Sequence, residues 1–515
     1  MPVKLRLLAG LLSVCAAVPF AATAQTFVGA FDVGPGGNPQ KFNPLVAPAG
    51  FGFYNKYFST LTLYDVGLQK ISGDLAESWA YAADGKTLTV KLRSGVKWHD
   101  GKPLGARDVK FTLDLVRHPD SASVFAGRLE AVAEVKVVDE LTLAIGLKSP
   151  DVTLPDAFTS IMMLPEHLLA KMAPKDLRNA DWWKSPVGSG PFRWIKYLPD
   201  QYVELEANKD FHRGRPKLDK LVNRYFKDVS SAAIALQAGE IQHTYLTLDQ
   251  VKENQSHAVF DVVSGPSNVL NYIGFNNGDP RFQDIRVRRA LLLAIDRAAI
   301  VKSIYGGNAR LGNCVLTLPK YVPGYLERYE TNVAKARALL EEAGWSKLSK
   351  GEPVELLTYY SDQLSKDVLA AIQAMLAGVG VAVKPRFVDT PTYSQIVDAG
   401  KFSLVFAGQG NGPDPSVLNT VLDSNYAPPK GLNRMRISIP ELDKLIGAGQ
   451  QEVDEGKRAE VYKQMCKLTN TQLPLLPLWT ANRFGGFARN VQGALWTPAP
   501  GGGRYQDYPE RWSLR

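Results

Sequence analysis

Leu75-Ala76-Glu77-Ser78-Trp79, followed by Asp84-Gly85-Lys86-Thr87-Leu88-Thr89-Val90-Lys91-Leu92-Arg93-Ser94-Gly95-Val96-Lys97-Trp98-His99-Asp100-Gly101, is the stretch on which the fold turns. Leu88, Val90 and Leu92 alternate with Thr87, Thr89, Lys91 and Arg93. That period of two places one face of a strand in a core and the other in water. Asp84-Gly85, Ser94-Gly95 and Asp100-Gly101 are turn dipeptides, and Val96 and Trp98 continue the alternation between the last two. Val109, Leu113 and Val116 then recur at helical spacing, with Asp108 suited to the positively polarised first turn. The segment predicts strand, turn, strand and helix in succession.

Working outward, residues 187–222 read as a β-rich stretch and residues 231–238 as a helix. From 284 to 406 helix and strand alternate. Asp284 caps a helix carrying Val287, Leu291, Ala294 and Ile295 that stops at Gly306-Gly307. Residues 335–343 form another helix, closed by Gly344. Strands are expected at 354–360, 381–388 and 402–406, with a helix at 368–376. Residues 441–469 are helical, and Pro474 to Pro477 lead into a last strand at 478–484. Such alternation predicts an α/β protein.

The chain has 515 residues, 45% hydrophobic and 22% charged, with three cysteines. A chain this long exceeds one ordinary core, so two or three lobes are expected. The composition excludes disordered, collagen-like and disulfide-scaffold classes. The net charge of +9 is spread without a run of cations, which argues against a nucleic-acid partner. At the N-terminus, Lys4 and Arg6 precede an apolar segment from 7 to 18, and Ala22-Thr23-Ala24 supplies small residues. This is the pattern of a secretory leader cut between Ala24 and Gln25. Cys15 is preceded by Val14 rather than by a small residue, so a lipid-anchored form is not expected. Export permits a disulfide between Cys314 and Cys466, but nothing in the sequence brings them together, and two buried free thiols are the favoured expectation.

Catalytic signals are missing. His99, His118, His167, His212, His243 and His257 are widely separated, without metal-ligand spacing. Gly34-Pro35-Gly36-Gly37 lacks the Lys-Ser/Thr pair of a phosphate loop. No nucleophile elbow and no Cys-x-x-Cys occurs. The weight moves towards a binding protein without a cofactor, with a secreted hydrolase as the rival.

The strand–turn–strand–helix stretch, with Lys102-Pro103-Leu104 and Asp108-Val109, resembles the signature of the family 5 extracellular solute-binding proteins, the oligopeptide, dipeptide and nickel-type receptors of ABC importers. The resemblance continues through Val187-Gly188-Ser189-Gly190-Pro191-Phe192, Phe275-Asn276, residues 284–297, Ala338-Leu339-Leu340 with Ala343-Gly344, and Asp414-Pro415. It implies a bilobed periplasmic-binding-protein fold with an additional β-rich subdomain. Domain I is expected at 25–58, 189–275 and 480–515, domain II at 59–188 and domain III at 276–479. It further implies a periplasmic monomer that captures a peptide or other small polar solute. The solute would pass to an inner-membrane ABC permease with its ATPase subunits. A metal-chelate receptor of the same fold is the alternative.

The resemblance also directs attention to Ala407-Gly408-Gln409-Gly410-Asn411-Gly412-Pro413-Asp414-Pro415, read as a Gly-rich loop leaving the 402–406 strand at an interlobe cleft. Peptide-binding relatives typically carry a Trp and an Asp here, the carboxylate offsetting the peptide ammonium. The corresponding positions are Gly408 or Gln409, and Asn411. An amide can accept a hydrogen bond from an ammonium but supplies no charge. The expected ligand-binding residues are Phe51, Tyr360, Gln409, Asn411, Asp414 and Trp479, with Asp414 equally suited to a turn and both Phe51 and Trp479 to a core. The Arg that pairs a dipeptide carboxylate in relatives is replaced by Ser361-Asp362-Gln363.

Overall fold

Asp84-Gly85 turns a β-hairpin in which strands Ala76–Tyr81 and Thr87–Leu92 pair antiparallel. Gly85 sits at φ +68°, a left-handed conformation that glycine adopts without penalty. The computed structural model describes residues 25–31, 42–46, 51–65, 70–254, 259–494 and 508–515. The leader, Gly34-Pro35-Gly36-Gly37, Asn38-Pro39, Pro48 and His257 lie outside them.

The hairpin belongs to a four-stranded antiparallel sheet completed by Thr142–Leu147 and Val132–Asp139. Leu88, Val90, Leu92, Leu143 and Ile145 face helix Ala106–Arg117, whose Val109, Leu113 and Val116 are fully buried. Asp108 accepts from the Gly105 N–H at 3.0 Å, as expected for the first turn. The second strand expected at Val96 and Trp98 shrinks to one bridge, Lys97 to Pro103. Its backbone is used elsewhere: the His99 N–H donates to the Gly188 carbonyl at 2.8 Å.

That bond belongs to a clamp joining two parts of the signature. His99 Nδ1 lies 3.3 Å from the Gly188 N–H, and Nε2 lies 3.0 Å from the Gly190 carbonyl. A neutral ring with its hydrogen on Nε2 satisfies both contacts, and burial holds the His99 pKa down to about 4. A Cβ at Gly188 would overlap the Tyr57 carbonyl, and one at Gly190 would crowd the Tyr57 backbone. Both glycines are therefore required by close backbone approach.

The main sheet has eleven strands. Ten run in the order Val383–Phe387, Val354–Thr358, Leu404–Gly410, Phe260–Phe275, Leu475–Ala488, His243–Leu246, Thr26–Ala30, Lys220–Arg224, Tyr202–Ala207 and Phe192–Leu198, and Ala309–Leu311 pairs with Leu475–Ala488. The two long central strands are antiparallel partners from Phe260 opposite Ala488 to Gly274 opposite Leu475. Their register is irregular between Pro266 and Leu270, where proline has no N–H to give the ladder. They connect a first lobe to a second.

Separate cores define the lobes. In the first lobe one core gathers side chains from Phe27 to Tyr225, including the four-stranded sheet. In the second, alternate residues of Leu404–Gly410 enter cores on opposite faces of the sheet. Leu404 and Phe406 pack with Val287, Leu291 and Trp479, while Val405 and Ala407 pack with Tyr272, Tyr462 and Cys466. Cys466 is disulfide-bonded to Cys314, against the expectation of free thiols: packing within one core brings together residues 152 positions apart, which no local pattern could show. Arg297, 3% exposed, ties the second lobe together by donating to the carbonyls of Gly312, Pro477 and Arg328. Two long helices expected from periodicity are each split in two: Ile285–Ala294 from Arg297–Ser303, and Pro440–Gln451 from Glu455–Gln472. Asp296 and Asp454 cap the second member of each pair, so a side-chain acceptor starts each new helix.

Candidate functional site

The segment expected to be a loop from Ala407 is strand as far as Gly410. Val269, Leu270, Asn271 and Tyr272 pair with Gly410, Gln409, Gly408 and Ala407, so the neighbouring strand supplies the ladder that glycines alone would not favour. Gly408 is needed for space. A Cβ there would collide with the Tyr360 hydroxyl and crowd a Val269 methyl. Tyr360 thus places a phenol, contributed by the end of the adjacent strand, where residue 408 would otherwise carry a side chain. Its ring packs on Tyr359 and Phe406, with centroids 4.5 and 5.7 Å away.

The chain then leaves the sheet. The Asn411 N–H donates to the Asn268 carbonyl at 2.8 Å, and its amide nitrogen lies 3.4 Å from the Gln409 carbonyl. The Asn411 Oδ1 accepts no hydrogen bond among the described residues and is an unused acceptor at the end of the strand. The Gln409 amide folds back on the Gly410 carbonyl at 3.0 Å.

Asp414 has a different role. Its carboxylate takes both arms of the Arg458 guanidinium, at 2.5 and 2.8 Å, and also caps Ser416 N–H at 2.9 Å. Burial alone would raise this carboxyl, but Arg458 overrides burial and holds it below the ordinary value. A carboxylate so engaged has little capacity left for a second cation. Trp479 is fully buried beside Tyr305, with ring centroids 5.4 Å apart, and lines the second-lobe core. Phe51 begins the short helix Phe51–Tyr54; its side chain lies outside the described residues. Of the six expected residues, the structure brings Tyr360, Gln409 and Asn411 together at one strand end.

Sequence reasoning missed the first-lobe groups that face this region. Asp156 accepts from the Tyr64 hydroxyl and pairs with Arg128, all three largely buried. Burial pushes the Asp156 carboxyl up; Arg128 opposes that, and the charge of Asp414 from the other lobe reinforces it. Glu130 reaches Tyr426 and Lys430 of the second lobe. No local motif announces such residues, because each contact spans up to 296 positions in sequence. Among the described residues, no three His, Cys, Asp or Glu side chains are grouped to hold a metal ion. No described helix is long and apolar enough to cross a membrane.

The fold built on this eleven-stranded sheet has counterparts in known proteins. A Brucella melitensis protein named as an ABC transporter peptide-binding protein is 47% identical over 505 residues, covering 97% of this chain and 95% of its own. The structure of the oligopeptide-binding protein AppA of Bacillus subtilis, in complex with a nonapeptide, superposes with a TM-score of 0.84 at 26% identity, covering 96% of this chain and 99% of that one. The structure of NikZ from Campylobacter jejuni with Ni(L-His) shares the fold at TM-score 0.84 and 24% identity, covering 95% and 99%. The model of the bacterial extracellular solute-binding proteins, family 5, matches residues 70–428. This chain belongs to that family of solute-binding proteins.

Proposed function

We propose that this protein is a periplasmic receptor that captures a peptide-like or other amide- and hydroxyl-rich solute between its lobes and hands it to an ABC permease. The observation that carries this reading is the pairing of an unused Asn411 acceptor with an Asp414 carboxylate already held by Arg458. Such a site can hydrogen-bond a polar group but offers no free carboxylate to a peptide ammonium. Peptides with blocked or buried N-termini suit it better than free dipeptides. Phe51, Tyr360, Gln409 and Asn411 are the residues proposed to face the solute. The 1–24 leader, and the division into domain I at 25–58, 189–275 and 480–515, domain II at 59–188 and domain III at 276–479, belong to the same proposal.

Native mass spectrometry of protein recovered from the cell envelope tests it. The expected spectrum shows a chain beginning at Gln25 and an additional mass for an intact organic solute. Retention of a metal complex instead would transfer the reading to the chelate receptors. Turnover of the bound molecule would replace binding with catalysis.

A further inference from the structure

A cavity of about 110 Å³ lies inside the second lobe, along the face of the strand Leu404–Gly410 that carries Val405, Ala407 and Gln409. Its walls expose polar and apolar surface in nearly equal measure, and three phenols enter it. Tyr272 and Tyr393 are 7% and 5% exposed, and neither hydroxyl has a hydrogen-bond partner among the described residues. Both hydroxyls are reachable from the cavity rather than sealed in the core, which leaves them available to a ligand. Burial raises both phenols, and each is raised further by the charge of Tyr359, which places the three groups near one another.

Arg434 joins them. Its Nε and one terminal nitrogen bind Asp398 at 2.7 and 3.4 Å, leaving the other terminal nitrogen without a partner among the described residues. Tyr272 and Tyr393 can each donate as well as accept, and Arg434 adds a donor, so the cavity can turn three donors onto one ligand group. The matching ligand group is rich in acceptor oxygens and carried on a short apolar stem. The cavity reaches Gly408 and Gln409, the strand end assigned to the solute. Leu432 and Arg434, on its wall, belong to the segment that meets the first lobe through Tyr426 and Lys430.

We infer that this cavity is a specificity pocket that receives a carboxylate- or carboxamide-tipped arm of the solute, gripped by Tyr272, Tyr393 and Arg434. The inference rests on the reading of the Gly408–Asn411 strand end as the solute site.

The probes are N-acetylated tetra-alanine and variants carrying Glu, Gln, Leu or Lys at each position in turn, titrated calorimetrically. At one position Glu or Gln should bind at least tenfold more tightly than Leu and Lys. The double variant Tyr272→Phe with Tyr393→Phe should erase that advantage. Its melting temperature should stay near that of the parent, since neither hydroxyl has a protein partner to lose. A preference that survives in the double variant, or no preference at any position, overturns the pocket. If the parent protein binds none of these peptides, the peptide reading falls and the cavity is tested alone by soaking crystals with glutaramate. Density bridging Tyr272 and Tyr393 supports the pocket; a cavity without the probe overturns it.

Discussion

Tyr426 of the second lobe donates its phenolic hydrogen to the carboxylate of Glu130 in the first. Lys430 lies 3.8 Å from the same carboxylate, and the Val152 N–H reaches the Gln450 carbonyl at 2.9 Å. None of these groups belongs to the strand end at Gly408–Asn411, so they stabilise closure without touching that segment. Tyr426→Phe should therefore weaken every ligand by the same factor. A hydrogen bond to a charged group at a partly exposed site is worth about 1 kcal/mol, or roughly fivefold in affinity. Stopped-flow traces should show the change in dissociation. A variant that discriminates among ligands would assign Tyr426 to the solute site instead.

Asn411→Asp should convert the strand end into an ammonium acceptor. Free tri- and tetrapeptides should then bind about ten- to a hundredfold more tightly, the value of one charge-assisted hydrogen bond of ~1.5–3 kcal/mol, while N-acetylated ones gain nothing. Calorimetry on matched pairs checks this. Tight binding of free peptides by the parent, abolished by acetylation, would show that another group already receives the ammonium.

Arg458→Met leaves Asp414 buried without its counter-charge. Such an orphaned carboxylate costs about 3–5 kcal/mol, whereas removing both charges in Arg458→Met with Asp414→Leu should recover much of the loss. Urea denaturation of the two variants measures the difference. Equal destabilisation by single and double variants would mean that packing, not charge, is what Arg458 supplies.

His99 makes the fold acid-sensitive. Its folded pKa of about 4 lies below the unfolded value of 6.5, so its neutral form stabilises the fold fully above pH 6.5. That contribution, of roughly 3 kcal/mol, is lost as the pH falls from 6.5 to 4. Asp74 acts lower. Burial opposes its ionisation, but Arg213 and His212 hold it down to about 2, so its contribution is lost only between 3.8 and 2. His99→Gln should be less stable at pH 7 and show a shallower loss of stability between pH 6.5 and 4. An unchanged slope would remove His99 from the acid transition.

Much of this architecture was legible because local pattern and tertiary need agreed. The alternation of Leu88, Val90 and Leu92 survived intact, and Asp284 caps the helix it was expected to cap. The strand Phe260–Phe275 was not legible. Ser264-Gly265-Pro266-Ser267-Asn268 is rich in turn-forming residues and carries no strand pattern, and it is extended where it pairs with Leu475–Ala488. The glycines at 408 and 410 misled for the same reason. Asn411 and Gln409 are proposed to face the solute because family resemblance pointed at their segment. The Arg128–Asp156 and Asp414–Arg458 pairs and the interlobe contact of Tyr426 with Glu130 could not be found in the sequence, since nothing in the neighbouring residues encodes a partner 28 to 296 positions away.

The chain passes from the first lobe to the second in Phe260–Phe275 and returns in Leu475–Ala488, and the two passages are hydrogen-bonded to each other. They form one paired strap rather than two separate tethers. A strap of paired strands resists stretching and sliding along its length but yields to flexing where its register is interrupted, here between Pro266 and Leu270 and again between Asn271 and Tyr272. The lobes should therefore swing about a fixed line while keeping their spacing. What a membrane partner would feel is a change of angle between two surfaces, transmitted stiffly from whatever the strap's bend encloses.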